Sequence, residues 1–302
     1  MTEFPKYKHG LQYFFGDMES CFPGHKRCNE KVELKAENYQ KCFDTLKNEA
    51  KLNGLRFPIL VHGPKAEEYT DLYKEMYSYA RDSLGMHIYA VGLTVGHDMG
   101  DDWKTTEEGK WSEDPEQYTT WMADYVNYFK PDFVSPCKES GWDWDKMEAV
   151  VTLLRSKIEE GCPTKILGPD TQHVKYCLNM VKKKKYPLED LFDVISTHSA
   201  DNDFTADEEA HRELVDHFAE KGKPVWNSEN PSYWKRGKEP SVVKDSDHPD
   251  GLPGVEDALK GGLNGLCLWH VIGGQQHKSL ILIDGSLTDK GREFAENIID
   301  SE

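Results

Sequence analysis

The chain has no apolar run that approaches the length needed to cross a membrane, and its opening, MTEFPKYKHG, has none of the hydrophobic core of a signal peptide. A membrane partner is therefore not expected. A leader trimmed beforehand would leave the same start, so cytoplasmic and exported locations both stay open. Also missing from the 302 residues is any low-complexity tract or Pro/Gly/Ser-rich linker that would divide them into halves. One large domain over residues 1–302 is the economical expectation. Cysteine is scarce and irregular: seven residues, at 21, 28, 42, 137, 162, 177 and 267, with no C-x-x-C pair. That pattern points neither to a zinc knuckle nor to a regular disulfide framework. Cys21 and Cys28 are near enough along the chain to bridge, but reduced, partly buried thiols are the plainer reading, and they fit a reducing compartment. Positive charge is in deficit, 37 Lys and Arg against 54 Asp and Glu, for a net -17. Such a surface repels polyanions, which excludes a nucleic-acid backbone as the expected partner. The one basic run, 182–185, is short and reads as a solvated helix end.

What the chain does have is enough apolar material for a core, 37% of residues, arranged with a repeating period. Short apolar runs at 11–16, 55–61, 86–93, 132–136, 165–168, 192–197, 224–227 and 263–269 read as strands. Between and after them, helical periodicity covers 36–52, 66–84, 116–129, 146–160, 170–181, 206–221, 255–259 and 289–299, with Asp170 as an N-cap. Eight strands alternating with eight helices predict an α/β fold, the (β/α)8 or TIM barrel. Two connections after strands, near 94–115 and 231–251, are long enough to be binding loops.

In such a barrel the chemistry gathers where the strands end, because the βα loops converge there on one mouth. The ends supply Arg56 and His62 on strand two, Glu139 after strand four, Asp170 and Gln172 on strand five, His198 on strand six, Glu229 on strand seven, and Trp269 and His270 on strand eight. Two glutamates on strands four and seven would face each other across the mouth.

The chain resembles the clan A glycoside hydrolases, retaining barrel enzymes that include cellulases and β-mannanases. The resemblance is carried by Leu55-Arg-Phe-Pro58, Pro136-Cys-Lys-Glu139, Pro224-Val-Trp-Asn-Ser-Glu229 and Trp269, in order along nearly the whole chain. It implies Glu139 as general acid/base, Glu229 as nucleophile, Arg56 orienting that nucleophile, His198 lining the sugar site and Trp269 flooring it. Retention needs this pair: one group protonates the leaving oxygen while the other, about 5 Å away, attacks the anomeric carbon with no water between. Glu229 beside Arg56 should be ionised, and Glu139 should keep its proton until the glycosyl-enzyme forms. No cofactor and no metal are implied.

One position departs from the pattern. Where the resemblance implies an asparagine that binds the sugar 2-hydroxyl, this chain has Lys138. Either Lys138 turns away, or it meets an acidic sugar or an unusual 2-substituent, or turnover is weak or lost. The tyrosine expected after strand six is absent too, since His198 is followed by Ser-Ala-Asp-Asn-Asp.

Six of the eight tryptophans, Trp103, Trp111, Trp142, Trp144, Trp234 and Trp269, fall in expected loops or at strand ends. Flat rings there can stack on sugar faces, or they can peg the loops down. Together they favour an endo-acting groove for a polysaccharide or oligosaccharide, with Lys138, Trp142 and Trp234 added to the substrate-binding set. Two other readings stay open. His62, His97, His173, His198, Asp170 and Asp201 could assemble a metal-dependent hydrolase or isomerase site, although no close-spaced metal motif supports it. A carbohydrate-binding barrel without turnover is the other. Nothing in the sequence sets the oligomeric state.

Overall fold

A computed structural model describes residues 4–23, 28, 31–59, 64–92, 115–138, 143–199, 208–231, 255–273 and 279–300. Eight parallel strands close on themselves in sequence order: β1 (Tyr13–Asp17), β2 (Gly54–Pro58), β3 (His87–Val91), β4 (Phe133–Ser135), β5 (Lys165–Thr171), β6 (Val194–His198), β7 (Val225–Pro231) and β8 (Gly265–Trp269). Closure is the pairing of β8 with β1, where Gly265 faces Tyr13 and Leu268 faces Gly16. Around them run α1 (Tyr39–Asn48), α2 (Pro64–Ser78), α3 (Pro115–Phe129), α4 (Trp144–Lys157), α5 (Val174–Lys182), a four-residue α6 (Leu188–Leu191), α7 (Glu208–Ala219), α8 (Val255–Lys260) and α9 (Asp289–Ile298). After β8 a small pair, β9 (Ile272–Gly273) with β10 (Ile281–Leu282), precedes α9. Among the described residues no helix is long and apolar enough to cross a membrane.

Strands here are buried on both faces, so they read as apolar runs rather than as a clean polar alternation. Successive side chains still point to opposite faces. One face packs outward on the helices in a large apolar layer that includes Phe14, Leu55, Phe57, Ile88, Val134, Ile166, Ile195 and Leu266. The other fills the barrel with Phe15, Tyr89, Val91, Phe133, Leu167, Val194, Trp226 and Cys267, against which Tyr13 packs. Trp226 sets the size of this inner core: its ring lies 4.6 Å from Phe133 and 4.9 Å from Tyr13, centroid to centroid. Gly265 makes room for it, because a Cβ there would stand 2.3 Å from the indole; Gly54 does the same for Phe15 at 2.2 Å. With the barrel packed below, the inward positions one pleat higher, toward the strand ends, are where polar side chains gather.

The expected strands and helices are all present, with ends shifted by a few residues, and α6 is an addition. One boundary is wrong in a way that matters. β5 does not stop at 168 but continues to Thr171, with a register shift between Pro169 and Thr171 and Asp170 at a positive φ of 49°. Asp170 is therefore not a helix cap; it is a buried strand carboxylate, and α5 begins four residues later behind His173. All seven cysteines are free thiols, Cys21 and Cys28 among them. The long connections at 94–115 and 231–251 lie outside the described residues except at their edges, where Pro115 opens α3 and Pro231 closes β7.

Candidate active site

The pleat of β1 sends Tyr13, Phe15 and then Asp17 inward, so the third step of an apolar row is a carboxylate. Arg56 on β2 meets it: the two side chains are fully buried and hydrogen-bonded to each other. The same guanidinium nitrogen, Nη2, donates to Glu229 Oε2 at 2.5 Å and lies 3.5 Å from Glu19 Oε1, while Nη1 donates to the Ser228 carbonyl at 2.7 Å. Arg56 also stands over the Tyr89 ring, 5.9 Å from its centroid. It therefore ties the ends of β1, β2 and β7 together. Asp17 Oδ1 accepts the backbone N–H of Glu19 at 2.7 Å, just past the end of β1.

Lys138, three residues past β4, is buried and does not turn away. Its ammonium is hydrogen-bonded to Glu19 and lies 3.4 Å from Glu229 Oε2. Of the alternatives for Lys138, turning away is the one the contacts answer: the lysine points in and meets the protein's own carboxylates.

Behind Glu229 lies a second polar group. Asp170 accepts hydrogen bonds from Ser228 Oγ at 2.5 Å, from the Tyr89 hydroxyl at 3.1 Å and from Ser135 Oγ. His198 Nε2 is 3.9 Å from Asp170 Oδ1, and His198 is paired in register with Glu229 across β6 and β7. The Ser199 N–H donates to the Glu229 carbonyl at 2.9 Å. On the adjoining strand Trp269 pairs with Pro231, half-buried at the end of β8, and the peptide it forms with His270 is cis.

These surroundings set the charges. Burial would push the Glu229 carboxyl up, but Lys138, Arg56 and His198 outweigh it and hold the group well below the usual carboxylate range. Asp17 goes the other way: burial, reinforced by Glu19 and Glu229, exceeds the pull of Arg56 and Lys138 and raises it to about 7. Asp170 is buried too, yet His198 and the serine hydroxyls keep it below its ordinary value. Glu229 alone of the charged cluster keeps some solvent contact, 15% of its side chain against 1% or less for Arg56, Lys138, Asp17 and Glu19.

Of the residues singled out in the sequence, Arg56, Lys138, His198 and Glu229 converge, and Trp269 stands on the next strand. Glu139, Trp142 and Trp234 lie outside the described residues, as do His62, His97 and Asp201 of the alternative metal set. Trp144 is not a loop ring: it opens α4 and stacks on Tyr186 at 4.8 Å. Among the described residues the carboxylates close enough to share an ion are Asp17, Glu19 and Glu229. Arg56 and Lys138 already stand between those oxygens, so the positive charge such a cluster needs comes from the protein itself. Asp17 and Glu19 went unread in the sequence; the signal for Asp17 is the two-residue step from Tyr13 through Phe15.

No protein-family model and no curated protein sequence matches this chain. Solved structures do match. A glycoside hydrolase family 30 subfamily 8 xylanase from Clostridium acetobutylicum superposes with a TM-score of 0.58 at 17% identity, over 97% of this chain and 72% of that one. The catalytic domain of a mannanase from Streptomyces sp. SirexAA-E gives 0.58 at 14% identity, over 98% and 91%. A family 113 β-mannanase from Alicyclobacillus acidocaldarius gives 0.55 at 13%, over 96% of each. The chain shares their (β/α)8 barrel.

Proposed function

We propose that this chain is a glycoside hydrolase that cleaves a β-linked polysaccharide with retention, Glu229 being the nucleophile and Glu139 the acid/base. The observation that carries the reading is the state of Glu229. It is a carboxylate at the end of β7, kept ionised by Arg56 and Lys138 and the most exposed member of a buried cluster. An ionised, anchored, reachable carboxylate is what attack on an anomeric carbon requires. Glu139 directly follows Lys138 in the chain, and Lys138 is within 3.4 Å of Glu229. Retention needs the second carboxyl about 5 Å from the first. His198 and Trp269 would bound the sugar that sits between them. The shared barrel with a xylanase and mannanases supports a β-glycan as substrate, and the tryptophans at 103, 111, 142 and 234 support an endo-acting groove.

The test is trapping. On a panel of glucan, mannan, xylan and galactan the parent protein should release reducing ends from at least one, and Glu229→Gln should abolish that release while leaving oligosaccharide binding. A matching 2-deoxy-2-fluoro glycoside should label Glu229. Label on another residue, or binding without hydrolysis throughout, would overturn the reading in favour of different roles or of a barrel that only binds.

A further inference from the structure

Both cations at the mouth meet the same oxygen. Arg56 Nη2 is 2.5 Å and Lys138 Nζ 3.4 Å from Glu229 Oε2, and among the described residues no hydrogen bond or ion pair ends on Oε1. Each cation is also hydrogen-bonded to a buried carboxylate at or just past the end of β1: Arg56 to Asp17 and Lys138 to Glu19. We propose that Lys138, aimed by Glu19, is a second catalytic cation on Glu229. With Arg56 it holds Oε2 and leaves Oε1 to attack the anomeric carbon. The inference rests on the glycosidase reading for the attack, and on geometry alone for the clamp.

The pairing suits both halves of a double displacement. In the first, Oε1 bonds to the anomeric carbon as the glycosidic C–O bond breaks, and the electron pair leaves on the departing oxygen, which takes the Glu139 proton. The Glu229 charge is thereby consumed. A buried cation left without a counter-ion is costly, but Glu19 stays within 3.5 Å of Arg56 and hydrogen-bonded to Lys138, and Asp17 keeps its hydrogen bond to Arg56. In the second, water bonds to the anomeric carbon and yields its proton to Glu139, while the ester bond breaks and its electron pair returns to Glu229. Two cations at Oε2 stabilise that returning charge. Glu19 acts through Lys138 and is a positioning residue.

Among the described residues, the charged and titratable groups facing Glu229 are Arg56 from β2, Asp17 at the end of β1, Glu19 just after it, Lys138 after β4, His198 from β6 and Cys267 from β8. Asp170 of β5, with Tyr89 of β3 bonded to it, meets His198 and Ser228. Lys138 and Arg56 supply the largest attraction among them.

Lys138→Gln alone would take from buried Glu19 its hydrogen-bonded ammonium, so the informative variant is the charge-balanced Glu19→Gln/Lys138→Gln. Its Glu229 carboxyl is followed by carbon-13 NMR, the resonance being the one absent from Glu229→Gln. The titration midpoint should rise by about one pH unit, a tenfold gain in proton affinity, and Lys138→Arg with Glu19 intact should keep it low. Trapped 2-fluoroglycosyl-enzyme should also hydrolyse at least about tenfold more slowly in the double variant. An unmoved midpoint in a folded double variant overturns the clamp. A moved midpoint with no label on Glu229 keeps the clamp and sinks the glycosidase reading, so the two failures are distinguishable.

Discussion

Asp17 offers the sharpest check on the electrostatics of the mouth. Its carboxyl is fully buried, and its value of about 7 lies far above that of the same group in an unfolded chain. A folded value raised in this way means the native state holds a proton the unfolded state has released. Stability from this group is thus present in acid and lost as pH rises toward 7. The difference from an unfolded value of 3.8 is about three units, or roughly 4 kcal/mol at 1.36 kcal/mol per unit. Most of the part falling between about pH 5 and about pH 8, some 2–3 kcal/mol, is accessible to measurement. Asp17→Asn is nearly isosteric with the protonated acid and cannot titrate. In urea unfolding of both proteins across that range, the stability of the variant relative to the parent should grow by about 2–3 kcal/mol from near pH 5 to near pH 8. Subtracting the two curves removes histidines and every other group they share. Glu229, held low, acts below this window, since its stabilisation is lost only as pH falls beneath the ordinary carboxylate range. Parallel curves from about pH 5 to pH 8 would refute the reasoning, because Asp17 would then titrate alike in both states.

Three further outcomes follow from the same contacts. Arg56→Met leaves Asp17 and Glu229 buried without their shared cation and should cost about 3–5 kcal/mol in urea unfolding near neutral pH; a loss under about 1 kcal/mol would mean the pair is not what ties β1, β2 and β7 together. Gly265→Ala drives a methyl to 2.3 Å from the Trp226 indole and should destabilise by about 1–3 kcal/mol, with partial recovery when Trp226→Leu is added; equal damage in the double variant would contradict the packing account. On an active glycan, the acid limb of kcat/KM should lie below the ordinary carboxylate range and should not move when salt is raised to about 0.5 M, because the cations on Glu229 are buried; a limb that climbs with salt would mean they are screened.

The barrel was legible because each strand is buried on both faces and so stands out as an apolar run between helical periods. Glu229 and Arg56 were legible for a related reason: Arg56 interrupts the apolar run of strand two and Glu229 stands two residues past that of strand seven, so each is a charge set against an apolar pattern. What was missed lies where the local signal points elsewhere. Asp17 and Glu19 stand in a polar stretch, Gly16-Asp-Met-Glu-Ser20, that reads as the start of a solvent loop, and only the pleat carried on from Tyr13 and Phe15 shows Asp17 to be inside. Asp170 precedes a helix by a few residues, as an N-cap would, and the register shift that keeps it in the strand has no signature in the side chains. Lys138 could be placed at the mouth but not aimed, because its partner Glu19 is 119 residues away.

The way the cluster is filled bears on why a lysine is tolerated beside Glu229. With Asp17 protonated, as its value of about 7 makes it through the acid range, Glu19 and Glu229 balance Arg56 and Lys138 charge for charge. Neither cation is then free to pull a proton from a neighbouring acid, because each is already committed to carboxylates at hydrogen-bonding or ion-pair distance. A neutral residue at 138 would take from buried Glu19 its hydrogen-bonded ammonium, and a neutral residue at 19 would take from Lys138 its hydrogen-bonded carboxylate, tightening its hold on the one carboxylate that has to react. Lysine at 138 and glutamate at 19 are thus a unit: either alone perturbs Glu229, and together they hold it ionised without immobilising its charge.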